Sequence, residues 1–580
     1  MLSGWVHRRR DLGGLVFVDL RDRTGLLQLS FGPEDTDEQS LAAAHRLGSE
    51  DVIQVEGEVV LRPPEARNSE LATGDVEVRV RRLTVLNGAR TPAIPVHLGQ
   101  GEELPSEELR LRNRHLDLRR TKLRDNLELR HRLVLAVRNY LDREGFLEIE
   151  TPILTRPTPE GARDYIVPSR VHPGEFYALP QSPQIYKQIL MAAGYDRYFQ
   201  IARCFRDEDL RADRQPEFTQ IDVEASFVEP DDIFAWIEGL VEVLCEAGGL
   251  EGPDSFSRVT YAEALERFGT DRPDLRFDLT IEDWTSALGD SESRILRGAV
   301  EGGGRIRGVR VPAGAELSRR QIEELEGLAK AEGAPGLLWL KRSSGEATGP
   351  LARFLPESGL GRIGVEDGDL ALVAAGEDRV TGPALGAVLA PAGRLTRRPQ
   401  VRQHAWLWVT DFPLFHEDEG TGALVPGHHP FVLPHPEDLD RLEEDPLAVR
   451  SLAYDLVYNG AELGSGSIRI HDPELQRTIL NALGLQGEEI DRKFGFLLEA
   501  LGSGAPPHGG IALGVDRIAK DFVGASSLRD VIAFPKTTAA RALFEGAPAP
   551  VTSGELEALQ LESRGHRAAG GDDPASAGSA

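Results

Sequence analysis

Cysteine is scarce in this chain of 580 residues, and only Cys204 and Cys245 are present. Two cysteines cannot build a disulfide scaffold, and they exclude a zinc cluster based on cysteine. A long chain with only two thiols is typical of a reducing compartment, and we therefore predict a cytoplasmic protein. Hydrophobic residues make up 40% of the chain, which is enough for about three or four domains with cores of their own.

Long apolar runs are also missing, and no stretch approaches the ~18 residues of a membrane span. The N-terminal sequence MLSGWVHRRRDLGG lacks the apolar centre of a signal peptide. It begins almost inside a predicted strand, so either the start is misassigned or the first strand is clipped. No GxxxxGK[ST] run occurs, which excludes a P-loop ATPase.

Positive charge is in the minority, and the net charge is −28. A total of this sign opposes binding to nucleic acid, but the distribution of charge matters more than its sum. Two basic clusters stand out, HRRR at 7–10 and an arginine-rich stretch at 110–138. Each is either a contact for nucleic acid or an ordinary salt-bridged surface.

Residues 1–88 show the alternation of strands and turns. The predicted strands include 15–20, 26–31, 52–59 and 76–81, and a short helix fits 37–47. Three strands, a helix and two strands is the order of an OB barrel, which often binds single-stranded nucleic acid. Phe17 lies near the basic cluster and either stacks an unpaired base or packs in the core.

The most informative stretch is a predicted hairpin at 198–224. Its first strand (198–205) ends at Arg206, a charged loop follows, and the second strand begins at Phe218. Arginine binds a phosphate through two parallel donors, and an aromatic face beside it can stack a base. We therefore favour a nucleotide bound over a sheet, against the alternative of a solvated charged turn, because so dense a set of charges serves no packing purpose.

The hairpin resembles motif 2 of the class II aminoacyl-tRNA synthetases, in the form of the bacterial aspartyl family of subclass IIb. GFLEIETPIL (145–154) resembles motif 1 and GGIALGVDR (509–517) resembles motif 3, in the expected order. The similarity runs in long blocks from about residue 4 to about residue 550. Small departures are Ser465, where glycine is usual, and Gly427, where methionine is usual.

The resemblance implies an α+β multidomain fold, with an N-terminal OB-fold β-barrel, a class II synthetase antiparallel-sheet catalytic domain and an inserted α/β (GAD-like) domain. The expected segments are an OB-fold anticodon-binding domain (1–88), a hinge or linker (89–118), catalytic parts with motifs 1 and 2 (119–276) and motif 3 (403–550), the inserted domain (277–402), and a C-terminal extension (551–580) with a disordered end. Periodicity predicts long helices at 127–144 and 318–332.

The family activates L-aspartate with ATP and Mg²⁺ and transfers it to the 3′ end of tRNA(Asp). The resemblance therefore implies these substrates, this cofactor and this tRNA partner. It also implies a homodimer, with Pro152 of motif 1 at the centre of its interface. Such chemistry needs positioning and charge neutralisation, without a nucleophilic side chain of the enzyme.

By the same resemblance Arg206 would hold the α-phosphate and the substrate carboxylate, and Arg517 the far phosphate of ATP, so these two are the expected catalytic residues. Glu208 would contact the adenine edge and Phe218 would stack on the ring. The expected ATP contacts are Arg206, Asp207, Glu208, Gln215, Phe218, Glu462, Gly514, Val515, Asp516 and Arg517. Asp455 and Glu462 would hold Mg²⁺, although their spacing alone suggests surface acids.

Arg469 and Lys187 would receive the side-chain carboxylate of aspartate, and Asp222 would orient these cations. Glu160 and Gln184 would bind the ammonium group. His428 would close over the ligand, against the alternative of a structural loop histidine. The expected aspartate contacts are Glu160, Ser182, Gln184, Lys187, Arg206, Asp222, His428 and Arg469.

The expected anticodon contacts are Arg10, Leu12, Phe17 and Gln28 on the barrel. Relatives that charge both aspartate and asparagine tRNA often carry histidine at the position of Leu12. Leucine there predicts a discriminating enzyme, and the alternative is a non-discriminating aspartyl-tRNA(Asp/Asn) synthetase.

Other functions are less consistent with the residues expected to bind the amino acid and the nucleotide. A lysyl enzyme would need acids where Arg469 and Lys187 stand, and an asparaginyl enzyme is not expected to keep Lys187 with Asp222. An OB-type binding protein with an inactive synthetase body is opposed by a complete set of nucleotide residues, Arg206, Glu208, Glu462 and Arg517.

Overall fold

The structure is a computed structural model that describes residues 1–98, 102–157, 161–209, 213–355, 357–396, 402–418 and 420–563. The chain divides into two compact units, one of residues 1–127 with 532–549, and one of residues 128–531 with 550–580. No helix in the described ranges is long and apolar enough to cross a membrane. The finer domain boundaries stay a prediction, and the predicted disordered end lies, apart from Ser563, outside the described residues.

The first unit contains a closed five-stranded barrel. Its elements are β1 (Leu2–Leu12), β2 (Leu15–Arg21), β3 (Leu26–Phe31), α1 (Glu38–Ala44), β4 (Val52–Leu61) and β5 (Val76–Asn87). The strand order β1-β2-β3-β5-β4 and the helix after the third strand confirm the predicted OB fold. Alternate residues such as Val16, Val18 and Leu20 fill its core.

The segment predicted as a linker is partly helical. It contains α2 (Glu107–Arg112) and α3 (Arg114–Asp117), and Ser106 begins α2 as an N-cap that accepts a hydrogen bond from the Leu109 amide. The following helix α4 (Thr121–Arg143) starts six residues before the predicted 127–144 and ends one residue before the predicted end.

The second unit begins with the motif 1 and motif 2 elements. They are β6 (Leu147–Glu148), β7 (Ile166–Pro168), β8 (Phe176–Ala178), α5 (Gln184–Ala192), β9 (Arg197–Phe205), β10 (Glu217–Ser226), α6 (Pro230–Gly248), β11 (Phe256–Thr260) and α7 (Tyr261–Phe268). Strands β9 and β10 pair antiparallel from Glu217↔Phe205 to Ala225↔Arg197, so the predicted hairpin is present within a few residues of its predicted bounds.

A second sheet follows where the inserted domain is predicted. Its elements are β12 (Ile281–Asp283), α8 (Thr285–Leu288), α9 (Arg294–Glu301), β13 (Arg305–Val311), α10 (Arg319–Ala331), β14 (Leu338–Ser343), β15 (Glu346–Thr348), α11 (Glu357–Arg362), β16 (Leu370–Gly376) and α12 (Asp378–Leu395). The five strands run antiparallel in the order β12-β13-β16-β14-β15, and α10 and α12 cover a core of their own. The predicted helix at 318–332 is α10, with Ser318 as its N-cap.

The remaining elements return to the first sheet of the unit. They are β17 (Trp406–Thr410), β18 (Phe415–Glu417), β19 (Leu424–Pro426), β20 (Ala453–Tyr458), β21 (Ala461–Ile468), α13 (Pro473–Ala482), α14 (Glu488–Gly502), β22 (His508–Gly514), α15 (Val515–Phe522) and α16 (Ser553–Ala558).

The central sheet has eight strands in the order β11-β17-β20-β21-β22-β10-β9-β6. The six inner strands are antiparallel and the two edge strands pair parallel, which confirms the antiparallel-sheet catalytic fold. Side chains from α4, α6 and α15 cover one face with an apolar core. A cavity opens on the sheet at β10, β21 and β22.

Glycines let the strands under this cavity approach closely. A Cβ on Gly466 would lie 2.3 Å from the carbonyl oxygen of Gly510. A Cβ on Gly510 would lie 2.0 Å from the carbonyl oxygen of Val223 and 2.1 Å from Glu224 Oε2. The Gly-rich sequences of β21 and β22 are therefore a steric requirement of this part of the sheet.

Candidate active site

The cavity has a volume of about 460 Å³ and brings together most of the predicted site residues. Those that line it are Ser182, Gln184, Lys187, Arg206, Glu208, Gln215, Phe218, Asp222, His428, Glu462, Arg469, Gly514, Asp516 and Arg517. Asp207, Asp455 and Val515 are not on its lining, and Glu160 lies outside the described residues.

The hairpin supplies one wall. Arg206 follows β9, and its guanidinium carbon lies 5.1 Å from the ring centre of Phe218 on β10, which is a cation–π distance. The Arg206 Nε atom is buried and has no hydrogen-bond partner among the described residues. A guanidinium with a buried, unused donor beside an aromatic face is suited to an anionic group attached to a flat ring.

Motif 3 is fixed to this wall by the carboxylate of Asp516. It accepts hydrogen bonds from the Thr219 amide at 3.0 Å and from the guanidinium of Arg130. Arg517, the next residue, donates to the carbonyl oxygen of Glu462 at 2.9 Å and lies 3.4 Å from its Oε1. The side chain of Asp516 thus orients α15, while Arg517 reaches the cavity.

Four charged side chains are buried together at the floor. Lys187 Nζ lies 3.2 Å from Asp222 Oδ1 and 3.3 Å from Glu224 Oε2. Arg469 donates to both carboxylate oxygens of Glu224, at 2.9 and 3.2 Å. None of the four side chains is more than 1% exposed, so each cation is held in one position by an acid.

The two acids of this floor, Asp222 and Glu224, differ in the direction in which their pKa is shifted. Burial acts to raise the pKa of Glu224, but Arg469 and Lys187 together lower it, so Glu224 is ionised. Burial raises the pKa of Asp222 and outweighs the opposing effect of Lys187. Asp222 Oδ2 is buried and accepts no hydrogen bond from the described part of the chain. Asp222 is therefore the acid whose side chain can accept a further hydrogen bond, from a ligand.

His429 completes the support of Arg469. Its Nε2 lies 2.7 Å from Arg469 Nη1, and because arginine only donates, Nε2 is the acceptor. Burial and the neighbouring Arg469 hold the pKa of His429 well below its usual value, so the ring is neutral. Ser467 Oγ accepts the second Nη1 hydrogen at 2.6 Å.

These contacts leave one donor on each cation. Arginine has five N–H groups, and Glu224, His429 and Ser467 account for four of those on Arg469. The ammonium of Lys187 has three, and its hydrogen bond to Asp222 and its ion pair with Glu224 leave at least one of them. Both side chains line the cavity. The floor can therefore present two donors to one further anionic group.

The proposed metal ligands form a less complete group. His428 Nε2 lies 3.2 Å from Asp455 Oδ1; burial acts to lower the pKa of His428, but Asp455 raises it overall. Burial and the nearby Asp455 raise the pKa of Glu462. The carboxylates of Asp455 and Glu462 repel each other, and a divalent cation bound between them would remove this repulsion. The described residues contain no cluster of three metal-ligating side chains. Oxygen atoms of phosphate and water would have to complete the coordination shell of the cation.

The barrel face carries the predicted anticodon residues. Arg10 Nη2 donates to Asp19 Oδ1 at 2.8 Å and to Gln28 Oε1 at 3.1 Å. Phe17 stands opposite Arg10 in the β1–β2 pair and is half-buried outside the barrel core, so it does not serve the core. Leu12 lies at the end of β1 with 64% of its surface exposed.

Sequence reasoning missed three supporting residues, Glu224, His429 and Ser467. Glu224 could have been found, because residues i and i+2 of a strand face the same side and Asp222 was already assigned to the site. Ser467 could have been found in the same way, because it lies two positions before Arg469. The contact of His429 with Arg469 depends on the position of a loop 40 residues away, which leaves no local signal.

Comparison with known families and proteins gives a consistent result. The family described as tRNA synthetases class II (D, K and N) matches residues 106–538, and the OB-fold nucleic acid binding domain matches residues 1–86. The chain is 49% identical to the aspartate–tRNA ligase of Geobacillus kaustophilus, over 97% of this chain and 95% of that one. It is 48% identical, with the same coverage, to the aspartate–tRNA(Asp/Asn) ligase of Caldanaerobacter subterraneus subsp. tengcongensis.

Solved structures share the fold at low identity. An asparaginyl-tRNA synthetase from Pyrococcus horikoshii complexed with asparaginyl-adenylate has a TM-score of 0.58 at 19% identity and covers 92% of this chain and 94% of its own. A putative aspartyl-tRNA synthetase from Leishmania major has a TM-score of 0.57 at 17% identity, with 92% and 90% coverage. With nearly the whole length matched at close to half identity, the chain belongs to the class II tRNA synthetases of the D, K and N group and, within it, to the aspartate–tRNA ligase family.

Proposed function

We propose that the protein activates L-aspartate with ATP to form aspartyl-adenylate and transfers the aspartyl group to the 3′ end of tRNA(Asp). The observation that carries this proposal is the cavity floor, where Lys187 and Arg469 are fixed by acids and each keeps one donor. Two fixed donors suit a carboxylate. The hairpin residues Arg206 and Phe218, which suit a nucleotide, lie in the same cavity.

In this proposal the side-chain carboxylate of aspartate accepts from Arg469 and Lys187. An asparagine amide would direct its own N–H groups at one of these donors and leave a buried cation without its partner. Sites of this kind reject the wrong ligand by a factor of roughly 10³ to 10⁵. Asp222, whose Oδ2 has no partner in the described ranges, would accept from the substrate ammonium together with Gln184, Ser182 and Glu160.

Arg206 would then hold the α-carboxylate of aspartate and the α-phosphate of ATP side by side. The carboxylate oxygen attacks the α-phosphorus, and pyrophosphate leaves on the opposite side. Arg206 neutralises charge on the phosphorus oxygens, and Arg517 would hold the leaving phosphates. Phe218, Glu208 and Gln215 would fix the adenine, and the backbone of Gly514 and Val515 would lie beside the adenosine.

Mg²⁺ forms part of this proposal through Asp455 and Glu462. When bound, it would neutralise phosphate charge between the two acids. His428, which contacts Asp455, would close over the ligand and exclude water. The side chain of Asp207 lies 3.8 Å from the exposed Arg163, and its amide donates to the Arg163 carbonyl oxygen at 3.0 Å, so Asp207 would contribute to nucleotide binding by its own carbonyl oxygen.

The proposed partner tRNA would bind at the barrel, where Arg10, Phe17 and Gln28 would contact the anticodon. We propose a discriminating enzyme on the basis of Leu12, a homodimer on the basis of motif 1, and a cytoplasmic location. The second candidate function is the charging of both aspartate and asparagine tRNA, which is the named activity of a relative with 48% identity.

Pyrophosphate exchange with aspartate, asparagine and lysine tests the first step. We expect exchange with aspartate alone, because only its side chain supplies the anion that the floor lacks. Robust exchange with asparagine and none with aspartate would contradict the proposal.

Charging of purified aspartate and asparagine tRNA transcripts tests the choice of tRNA. We expect a strong preference for aspartate tRNA, and Leu12→His is expected to reduce it. Leu15→His is the matched control, because Leu15 faces Leu12 across the β1–β2 pair and is also exposed, at 46%. Equal kcat/KM on the two tRNAs would favour the second candidate function.

A further inference from the structure

A chain of buried hydrogen bonds runs from the cavity to His508, a residue that the proposed reaction does not use. Gln184 Nε2 donates to Gln188 Oε1 at 3.0 Å, and Gln188 Nε2 lies 3.4 Å from His508 Nε2. Gln184 lines the cavity, whereas Gln188 and His508 lie behind it and are 0% exposed. We call Gln184, Gln188 and His508 the amide chain.

The direction of the hydrogen bonds in the amide chain is fixed at His508. Its Nδ1 atom lies 2.8 Å from the carbonyl oxygen of Pro506, and because a carbonyl oxygen only accepts, Nδ1 carries a proton. Burial lowers the pKa of His508 and outweighs the opposing effect of Glu224, so the ring is neutral. A neutral ring with its proton on Nδ1 has an acceptor at Nε2.

This acceptor determines how both amide groups are turned. Because His508 Nε2 accepts, Gln188 directs its amino group at the ring, and its Oε1 atom faces Gln184. Gln184 uses its own amino group on Gln188, which leaves Gln184 Oε1 for a ligand in the cavity. The two ends of a glutamine amide have nearly the same shape, so the hydrogen bond to His508 selects one of two orientations that packing alone would not separate.

The elements that carry the amide chain also carry the cavity floor. Gln184 and Gln188 lie four positions apart on α5, on one face of the helix, and Lys187 of the floor stands between them in sequence. His508 begins β22, and its backbone carbonyl oxygen accepts the amide of Arg469 at 2.9 Å. The side chain of His508 can therefore be replaced without removing this backbone contact of Arg469.

We propose that His508 is a positioning residue for the α-ammonium group of the substrate, because through Gln188 it turns Gln184 Oε1 toward that group. This inference rests on the proposed function and deepens it, since Gln184 belongs to the ammonium contacts assigned there. An ammonium group only donates, so a Gln184 amide turned the other way would present N–H groups to it and oppose binding. The amide chain therefore favours an amino acid over a dicarboxylate that lacks the amine.

The test compares the binding of L-aspartate with that of succinate, which carries hydrogen in place of the ammonium group. Titration calorimetry on the full-length protein measures both dissociation constants. His508→Asn keeps a donor for the Pro506 carbonyl oxygen and removes the Nε2 acceptor. We expect Kd for aspartate to rise about tenfold, because a hydrogen bond to a charged group is weakened, while Kd for succinate stays unchanged.

Gln184→Glu shows whether the orientation of the amide is the cause. A carboxylate presents an acceptor in either rotation, so it needs no orienting chain. His508→Asn should therefore raise Kd for aspartate in the native sequence and add no loss in the Gln184→Glu background. A further loss of similar size in that background would overturn the proposal. A parallel rise for aspartate and succinate in His508→Asn, or an unchanged Kd for aspartate, would also overturn it.

His404→Asn is the matched control, because the ring of His404 is also hydrogen-bonded, to Tyr458 Oη at 2.7 Å, and neither residue lines the cavity. Both dissociation constants should equal those of the wild type. If His508→Asn fails to fold, Gln188→Leu removes the same link and allows the same comparison. Wild-type protein that binds aspartate but catalyses no pyrophosphate exchange with it would contradict the proposed function, while the comparison of aspartate with succinate would still decide the role of His508.

Discussion

Arg469 is the single residue on which the cavity floor depends most. It donates to Glu224, His429 and Ser467 and is 1% exposed. Arg469→Leu removes the donor proposed for the substrate carboxylate and leaves Glu224 buried without this partner. Breaking a buried pair in this way costs about 3–5 kcal/mol. We expect kcat/KM for aspartate in pyrophosphate exchange to fall by at least two orders of magnitude, while ATP binding largely survives.

Arg477→Leu provides the control for this substitution. Arg477 is 40% exposed and pairs with Asp491 away from the cavity, so its loss should leave exchange unchanged. Near-normal kcat/KM for aspartate in Arg469→Leu would show that another residue receives the carboxylate. Titration of ATP into the variant checks that the wall of the cavity formed by Arg206 and Phe218 is still folded.

The residues that could be predicted from sequence were those in contiguous motifs. Arg206, Phe218 and Arg517 stand in such blocks, and the cavity includes all three. Glu224 was missed although it lies two positions after Asp222, because its role is set by Arg469, 245 positions away in sequence. Sequence spacing does not report which acid a distant cation selects.

Among the elements, α5 and β10 carry three of the four floor residues, Arg469 directly follows β21, and β22 pairs with both strands. Gly510→Ala would place a methyl group 2.1 Å from Glu224 Oε2, so Glu224 or the strand must move. Since Glu224 holds Arg469 and Lys187, we expect KM for aspartate to rise more than KM for ATP. Pyrophosphate exchange at varied aspartate and at varied ATP measures the two constants.

Gly495→Ala is the matched control, because a Cβ there has open space within 4 Å and α14 gains a better helix former. It should leave both constants unchanged and raise the free energy of unfolding slightly. Equal effects of Gly510→Ala on the two substrates would contradict a specific role of Glu224.

Element boundaries were predictable where the signal is local. The motif 2 hairpin, α10 and the barrel strands follow from alternation, capping and turns. The hinge helices α2 and α3 were not predicted, because residues 89–118 were expected to be a hinge or linker and each helix is at most six residues long. The strand order of the central sheet was not predictable from spacing, since β22 pairs with β10 across nearly 300 residues.

For the whole molecule, exposed apolar side chains in motif 1 support the proposed homodimer. Leu147, Ile153 and Leu154 are 52%, 44% and 52% exposed in a single chain. Neighbouring apolar side chains left in solvent indicate an interface. We expect a dimer by light scattering at micromolar concentration, and Leu154→Asp should shift it toward monomer with loss of activity.

Leu328→Asp is the control for the dimer, because Leu328 is 41% exposed on α10 of the inserted sheet. This variant should remain dimeric. A fully active monomer of the unaltered protein would contradict the proposed assembly.

We expect the burial of the floor charges to make the two chemical steps of the enzyme respond differently to ionic strength. Lys187, Asp222, Glu224 and Arg469 are at most 1% exposed, so mobile ions screen them weakly. Contacts between arginines and the tRNA backbone are screened strongly. Added KCl should therefore suppress aminoacylation while pyrophosphate exchange continues, so that aspartyl-adenylate accumulates on the enzyme. If both rates fell in parallel as salt increases, amino-acid recognition would depend on solvent-exposed charges instead.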